Sequence, residues 1–236
     1  MLVNFIITAA VCIICYLLFL IYPIYRAIHI SEKIIAATVP YEQHPLHPNK
    51  FILVAGDSTA TGVGAIDNKE SIAGRLGKQF PDADITNLGV SGARLKDLLT
   101  LLQKQTQHYD LIVLQIGGND IVHLTSYQEI RQQLAQIIAL SQNLSSKTIV
   151  LTAGNIGRAR TFRWPLSAII TARTLHVRDI FIEEIAKYPT VYYVDLFKNP
   201  QEDPFEKDLK TYYAPDSFHL TGAGYGAWYS ALQKYL

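Results

Sequence analysis

The first charged side chain is Arg26. From Leu2 to Tyr25 the sequence is uncharged, with only Asn4 and Thr8 clearly polar, and this run of 24 residues constrains the fold more than any later segment. A helix needs about 20 apolar residues to cross the hydrocarbon of a bilayer. Tyr22 and Tyr25 fall at its far end, where aromatic side chains favour the membrane–water interface. A cleaved signal peptide would carry a basic start, a shorter apolar stretch and a small-x-small cleavage site. Pro23-Ile24-Tyr25-Arg26 stands there instead, so residues 1–25 are predicted to remain as a single-pass transmembrane helix. Cys12 and Cys15 lie inside it and are expected to act as small apolar fillers.

Arg26 and Lys33 follow the span and only the α-amino group precedes it, so the positive-inside rule favours the cytoplasmic side for the rest of the chain. Residues 26–50 read as a juxtamembrane segment and linker. Ile28, Ile30, Ile34 and Ile35 among Arg26, Glu32 and Lys33 suit a helix lying on a surface. Pro40, Pro45 and Pro48 then make Thr38–Lys50 an extended spacer. His44 and His47 have no carboxylate or thiol cluster beside them and read as solvated side chains, so no metal site is expected.

The remaining 51–236 are long enough for one well-cored domain. Short apolar runs at 51–55, 84–88, 111–116, 148–151 and 191–194 alternate with helical patterns near 70–80, 93–103, 127–143, 165–185 and 222–236. Nearly continuous apolar strands separated by helices predict an α/β fold, a parallel sheet covered on both faces. In such sheets ligands bind beyond the carboxyl ends of the strands. The segments there are Gly56-Asp57-Ser58-Thr59, Asn87 to Gly92 and Gly117-Gly118-Asn119-Asp120, joined late in the chain by Asp216-Ser217-Phe218-His219.

These residues can make a nucleophilic site. Ser58, at the mouth of a helix, can attack a carbonyl once a base takes its proton. His219 is the candidate base, and Asp216 can accept the second ring N–H and fix the tautomer. Asn119 offers an amide donor to an oxyanion, and Gly89 a backbone N–H with no side chain in the way. In order and position the four segments resemble the blocks of the SGNH hydrolase superfamily, the GDSL-type esterases and lipases. Thr59 stands where that family usually has Leu.

The resemblance spans 51–236. It implies a three-layer α/β/α sandwich with a central, mostly parallel five-stranded sheet of flavodoxin-like type. It also implies acylation of Ser58, His219 as base oriented by Asp216, and an oxyanion hole from Ser58, Gly89 and Asn119. Asp57 and Asp120 are expected to support the site, and no cofactor or metal takes part. The expected activity is carboxylic-ester hydrolysis on an acyl ester, with lipidic esters among the candidates. The same triad also serves acyl- or acetyltransferases and deacetylases acting on glycans, and the fold can persist as a non-catalytic binding module.

Other chemistries find less support. Gly62-Val63-Gly64 lacks the third glycine of a dinucleotide fingerprint, since position 67 is Asp67. His108, His123 and His176 have no ligand-spaced partners. A net charge of +1 argues against a nucleic-acid partner. That small total is a cancellation. Seven Lys and Arg and no acid lie between Ile130 and Arg178, then nine acids against four Lys between Asp179 and Asp216. Arg158, Arg160 and Arg163, with Phe162 and Trp164, suit either a bilayer interface or ion pairing with the acidic tract.

Overall fold

A computed structural model describes all 236 residues. The chain runs as α1 (Leu2–Ala37), β1 (Lys50–Gly56), α2 (Ser58–Thr61), α3 (Ile72–Gln79), β2 (Ala83–Gly89), α4 (Leu95–Leu102), β3 (Leu111–Gln115) and α5 (Gly118–Val122). It continues as α6 (Tyr127–Leu144), β4 (Thr148–Leu151), α7 (Leu166–Ile185), β5 (Val191–Val194), α8 (Pro204–Lys207), α9 (Leu209–Tyr212) and α10 (Gly222–Leu232). The five strands form one sheet in the order β2-β1-β3-β4-β5, and every pairing is parallel. This is the expected flavodoxin-like order, with the chain reversing its winding direction between β1 and β3.

Side-chain alternation sends each strand into two cores. Leu53, Ala55, Ile112, Leu114 and Val150 face α4, α6 and α7, whose Leu98, Leu134 and Phe181 complete that layer. Ile52, Val54, Val113, Ile149 and Leu151 face α3 and α10, where Leu76, Tyr225 and Trp228 close the other. Because both faces are covered, the strands carry apolar residues at successive positions rather than alternating ones. The helices start where the sequence supplies caps. The hydroxyls of Ser71, Ser126 and Thr221 accept the N–H groups of Gly74, Glu129 and Gly224, and Glu129 reaches back to the Ser126 N–H.

Helix α1 differs from a free-standing anchor. It is one helix through Pro23 to Ala37, so no break marks the end of the apolar run at Tyr25. Residues from Leu2 to Phe19 are exposed apart from Ala9, which is partly covered. Beyond them Leu20, Ala27, Ser31 and Ile34 form a covered stripe at helical spacing. One face of the isoleucine-rich segment therefore packs along the domain, while Ile28 and Ile35 stay exposed. The following spacer is pinned to the sheet edge. Gln43 pairs with Ile85 of β2 through both backbone groups, and its side-chain amide donates to the carbonyls of Phe80, Pro81 and Ala83.

Three of the seven basic residues of the tract pair with acids. Arg131 bridges Glu183 and Glu184, each at 2.6 Å, Arg158 forms a two-pronged pair with Glu206, and Arg178 pairs with Asp195. Arg173 donates to the carbonyls of Asp120, Ile121 and Thr125 at the end of α5. Arg163 is committed to α1, where it donates to the Phe19 carbonyl at 3.3 Å and lies 3.8 Å from the Phe19 ring centre. Pairing with the acidic tract thus accounts for Arg131, Arg158 and Arg178. Arg158, Arg160 and Arg163 do not form one free cationic patch.

Candidate active site

Strand β1 ends at Gly56, whose φ is +145°, and any Cβ there would collide with the Gln115 carbonyl of β3. Only glycine lets the chain turn this tightly between two paired strands. Asp57 follows as the cap of α2, its Oδ1 accepting the Thr59 N–H at 2.9 Å and the Thr59 hydroxyl at 2.7 Å. Ser58 is the first residue of α2. The position that departs from the usual family pattern therefore gives Asp57 a second hydrogen bond that a leucine could not provide.

Ser58, Asp216 and His219 are all buried, and they form one chain of hydrogen bonds. Ser58 Oγ lies 3.0 Å from His219 Nε2, and His219 Nδ1 lies 2.6 Å from Asp216 Oδ2. With Nδ1–H donated to the carboxylate, Nε2 is left to accept the serine hydroxyl proton. The 216–219 segment is a tight turn through Ser217 at φ +59°. Asp216 Oδ1 accepts the N–H groups of Phe218 at 3.0 Å and His219 at 2.9 Å, which locks the carboxylate beside its histidine. Burial pushes the Asp216 carboxyl up, but the His219 contact and these N–H donors outweigh it and hold it at about 2. A fourth donor comes from outside the turn. Ser31 on α1 donates its hydroxyl to Asp216 Oδ2 at 2.8 Å.

Of the three groups expected to serve as oxyanion donors, one is not free. The Ser58 N–H donates to no protein acceptor. Asn119 gives one amide hydrogen to the Ala93 carbonyl at 3.0 Å, which leaves the other for a ligand. The Gly89 N–H is already taken, because Asn87 Oδ1 accepts it at 2.9 Å. Gly89 therefore does not offer the free donor expected of it. Three residues on, Gly92 has φ +83°, open space where a Cβ would lie, and an N–H without a protein acceptor. Its neighbour Ala93 is the residue that holds Asn119, so Gly92 sits at the same corner.

Asp57 and Asp120 are both buried carboxylates at this corner. Asp120 Oδ2 accepts the Leu95 N–H at 3.0 Å, capping α4 and fixing the loop that carries Gly92. Burial raises both carboxyls above their ordinary values, that of Asp57 to about 6. Ser31, Asn87 and Gly92 were not picked out by sequence reasoning. A signal existed for Ser31, which continues the Leu20 and Ala27 stripe of α1, and for Gly92, the other glycine of the same loop.

The site opens into a cavity of about 1020 Å³, mouth included. Ser58, Asn119 and His219 stand on its wall with Asp57. Beyond them it is lined by Ile116, Ile156, Leu196, Phe205, Trp228 and Ala231, a mostly apolar slot reaching to α10 that also meets Asp195, Lys198 and Asp203. A mostly apolar pocket with polar groups at one end suits a partly apolar ligand.

Several solved structures share this fold. A member of the lipolytic protein G-D-S-L family from Veillonella parvula DSM 2008 is 16% identical with a TM-score of 0.58, over 78% of this chain and 96% of that one. The acetylxylan esterase Axe2 from Geobacillus stearothermophilus is 21% identical with a TM-score of 0.53, over 81% and 95%. The lipase Lip_vut3 from a goat rumen metagenome is 15% identical with a TM-score of 0.60, over 79% and 97%. Among curated proteins no sequence matches. At such identities the likeness is one of fold. The family follows from sequence, because residues 54–227 match the GDSL-like lipase/acylhydrolase family, and the chain belongs to it.

Proposed function

We propose that the protein is a serine-dependent carboxylic-ester hydrolase held at a membrane by α1. The observation that carries this reading is the unbroken Ser58–His219–Asp216 relay at the polar end of the apolar cavity. The Ser58 hydroxyl loses its proton to His219 Nε2 as Oγ bonds to the ester carbonyl carbon. The carbonyl oxygen takes the negative charge beside the N–H groups of Ser58 and Gly92 and the free amide hydrogen of Asn119. The carbon–oxygen bond to the alcohol then breaks, the imidazolium returns its proton to the departing oxygen, and an acyl-serine remains. Water repeats the sequence and frees the acid. With its carboxyl held near 2, Asp216 stays ionised and stabilises the imidazolium without taking its proton.

Anchoring is supported by length and by contacts. The exposed stretch from Leu2 to Phe19 is about 27 Å of helix, against about 30 Å of bilayer hydrocarbon. Its end is marked by Tyr16, whose hydroxyl donates to the Trp164 carbonyl, and by Trp164 itself at 73% exposure. These aromatics suit the interfacial layer. Cleavage of the helix as a leader would strip the packed residues from Leu20 onward, which favours retention.

Profiling of p-nitrophenyl and phospholipid esters over chain length, with Ser58→Ala as blank, tests the reading. Wild type is expected to hydrolyse esters and to react with a fluorophosphonate probe, and Ser58→Ala to do neither. Absence of labelling in wild type overturns it in favour of a binding module. Turnover that proceeds only with an added hydroxyl acceptor overturns it in favour of a transferase. Intact protein after protease treatment of sealed, right-side-out cells is expected for a cytoplasmic catalytic domain.

A further inference from the structure

Two serine or threonine hydroxyls lie in α1, those of Thr8 and Ser31, and Thr38 caps its end; Ser31 behaves differently from the other two. Thr8 and Thr38 turn their hydroxyls back onto the helix, donating to the carbonyls four residues earlier, those of Asn4 and Ile34. This is the ordinary resting place of a helical hydroxyl. Ser31 has the Ala27 carbonyl at the same offset and donates instead to Asp216 Oδ2, 185 residues along the chain, at 2.8 Å. The carboxylate is ionised and can only accept, so the direction of this bond is fixed.

The helix is built to bring Ser31 there. Leu20, Ala27, Ser31 and Ile34 share the covered stripe, and the small side chains of Ala27 and Ser31, four residues apart, let the backbone come close. At the other end of the stripe the Arg163 contact with Phe19 holds the helix against the loop that follows β4. At Asp216, Oδ1 is filled by two backbone N–H groups and Oδ2 by the imidazole. Ser31 supplies the remaining donor to Oδ2. Without it a buried, charged oxygen keeps one lone pair unpartnered and is held in place from one side only.

We infer that Ser31 is a positioning residue for the catalytic relay, through which the seating of the anchor helix on the domain sets the orientation of Asp216. This rests on the esterase reading, since it assigns Asp216 to the relay. It makes α1 part of the enzyme and not merely a tether. Ser31 acts through Asp216 and His219 and touches no substrate, so its loss is expected in kcat rather than KM.

The test uses the full chain in detergent micelles, a soluble short-chain p-nitrophenyl ester, and the variants Ser31→Ala, Ser31→Thr and Ser31→Val. Thr and Val have nearly the same shape and differ in the hydroxyl. Ser31→Ala is expected to lower kcat about tenfold with KM unchanged, in line with losing one hydrogen bond to a charged group. Ser31→Thr is expected to keep at least half of the wild-type kcat, and Ser31→Val to fall with Ser31→Ala. Should Ser31→Ala fail to fold, the Thr and Val pair decides. Wild-type kcat in Ser31→Val, or equal losses in Thr and Val, overturns the inference while leaving the esterase reading intact. Failure of wild type to turn over any ester overturns the esterase reading itself.

Discussion

Arg163 donates to the carbonyl of Phe19, the one carbonyl of α1 that Pro23 leaves without its intrahelical donor. In a continuous helix the N–H of residue 23 would bond to the oxygen of residue 19, and proline has none. Inside hydrocarbon such an orphan is costly, and at the edge of a membrane a guanidinium from the domain can fill it. The same guanidinium lies over the Phe19 ring, so one side chain satisfies the backbone and packs on the helix surface.

Arg163→Ala is therefore expected to lower the stability of the full chain by about 1–2 kcal/mol, read as a fall in melting temperature in detergent. Pro23→Ala restores the N–H and closes the helix on itself. In that background Arg163→Ala should cost less, with a coupling of about 1 kcal/mol in the double-mutant cycle. Equal costs in both backgrounds would show that Arg163 serves something other than this carbonyl.

Asp216→Asn keeps the size of the side chain but removes the charge that holds the imidazolium. An amide can also turn an N–H toward Nδ1 and favour the other tautomer. A kcat about 10⁴-fold below wild type is expected, with KM little changed, in steady-state hydrolysis of a soluble ester. A loss of less than tenfold would mean that His219 does not depend on this carboxylate.

Asn119 has one amide hydrogen on Ala93 and one free, and the free hydrogen is the one that would meet the oxyanion. Asn119→Ala is expected to cost about 10²–10³ in kcat. Asn87→Ala provides the comparison, because Asn87 occupies the Gly89 N–H and has no donor facing the carbonyl. It should loosen the end of β2 and lower the melting temperature, and it should leave kcat within tenfold of wild type. If freeing the Gly89 N–H in this way raised kcat, Gly89 and not Gly92 would be the better candidate donor.

Most of the sheet was legible because it is buried on both faces. Thr148–Leu151 and Val191–Val194 run as strands over the residues that the apolar runs mark, and α6 and α7 start within one residue of 127 and 165, where the helical patterns begin. The proposed relay residues Ser58, Asp216 and His219 stand out in the sequence because each lies in a short segment whose residue types suit that chemistry. Gly89 and Gly92 could not be separated by sequence. Both are glycines in one loop, and the choice turns on whether Asn87 folds its side chain back two residues onto the Gly89 N–H. Nor could the end of the apolar run reveal where α1 meets the domain. Hydropathy records that residues 20–25 avoid water, and both lipid and protein satisfy that. The docking stripe appears only when Leu20, Ala27 and Ser31 are placed on one face.

The two acids of the site affect stability in opposite directions and in separate pH windows. Asp216, held at about 2, binds its proton less tightly when folded, so it contributes stability above about pH 4 that is lost as the pH falls towards 2. Asp57 is pushed up to about 6 by burial, against the Thr59 hydrogen bonds that pull it down. Its folded form holds a proton that the unfolded chain has already released, so stability falls as the pH rises from about 4 to 6 and then levels off. A shift of about two units corresponds to at most about 3 kcal/mol. Asp57→Asn keeps an oxygen for the Thr59 N–H and hydroxyl and has no charge to bury. The variant should match wild type in melting temperature below pH 4, gain on it progressively between pH 4 and 6, and stay above it at pH 8. A melting-temperature difference that does not change with pH would show that the Asp57 carboxylate is not destabilised by its burial.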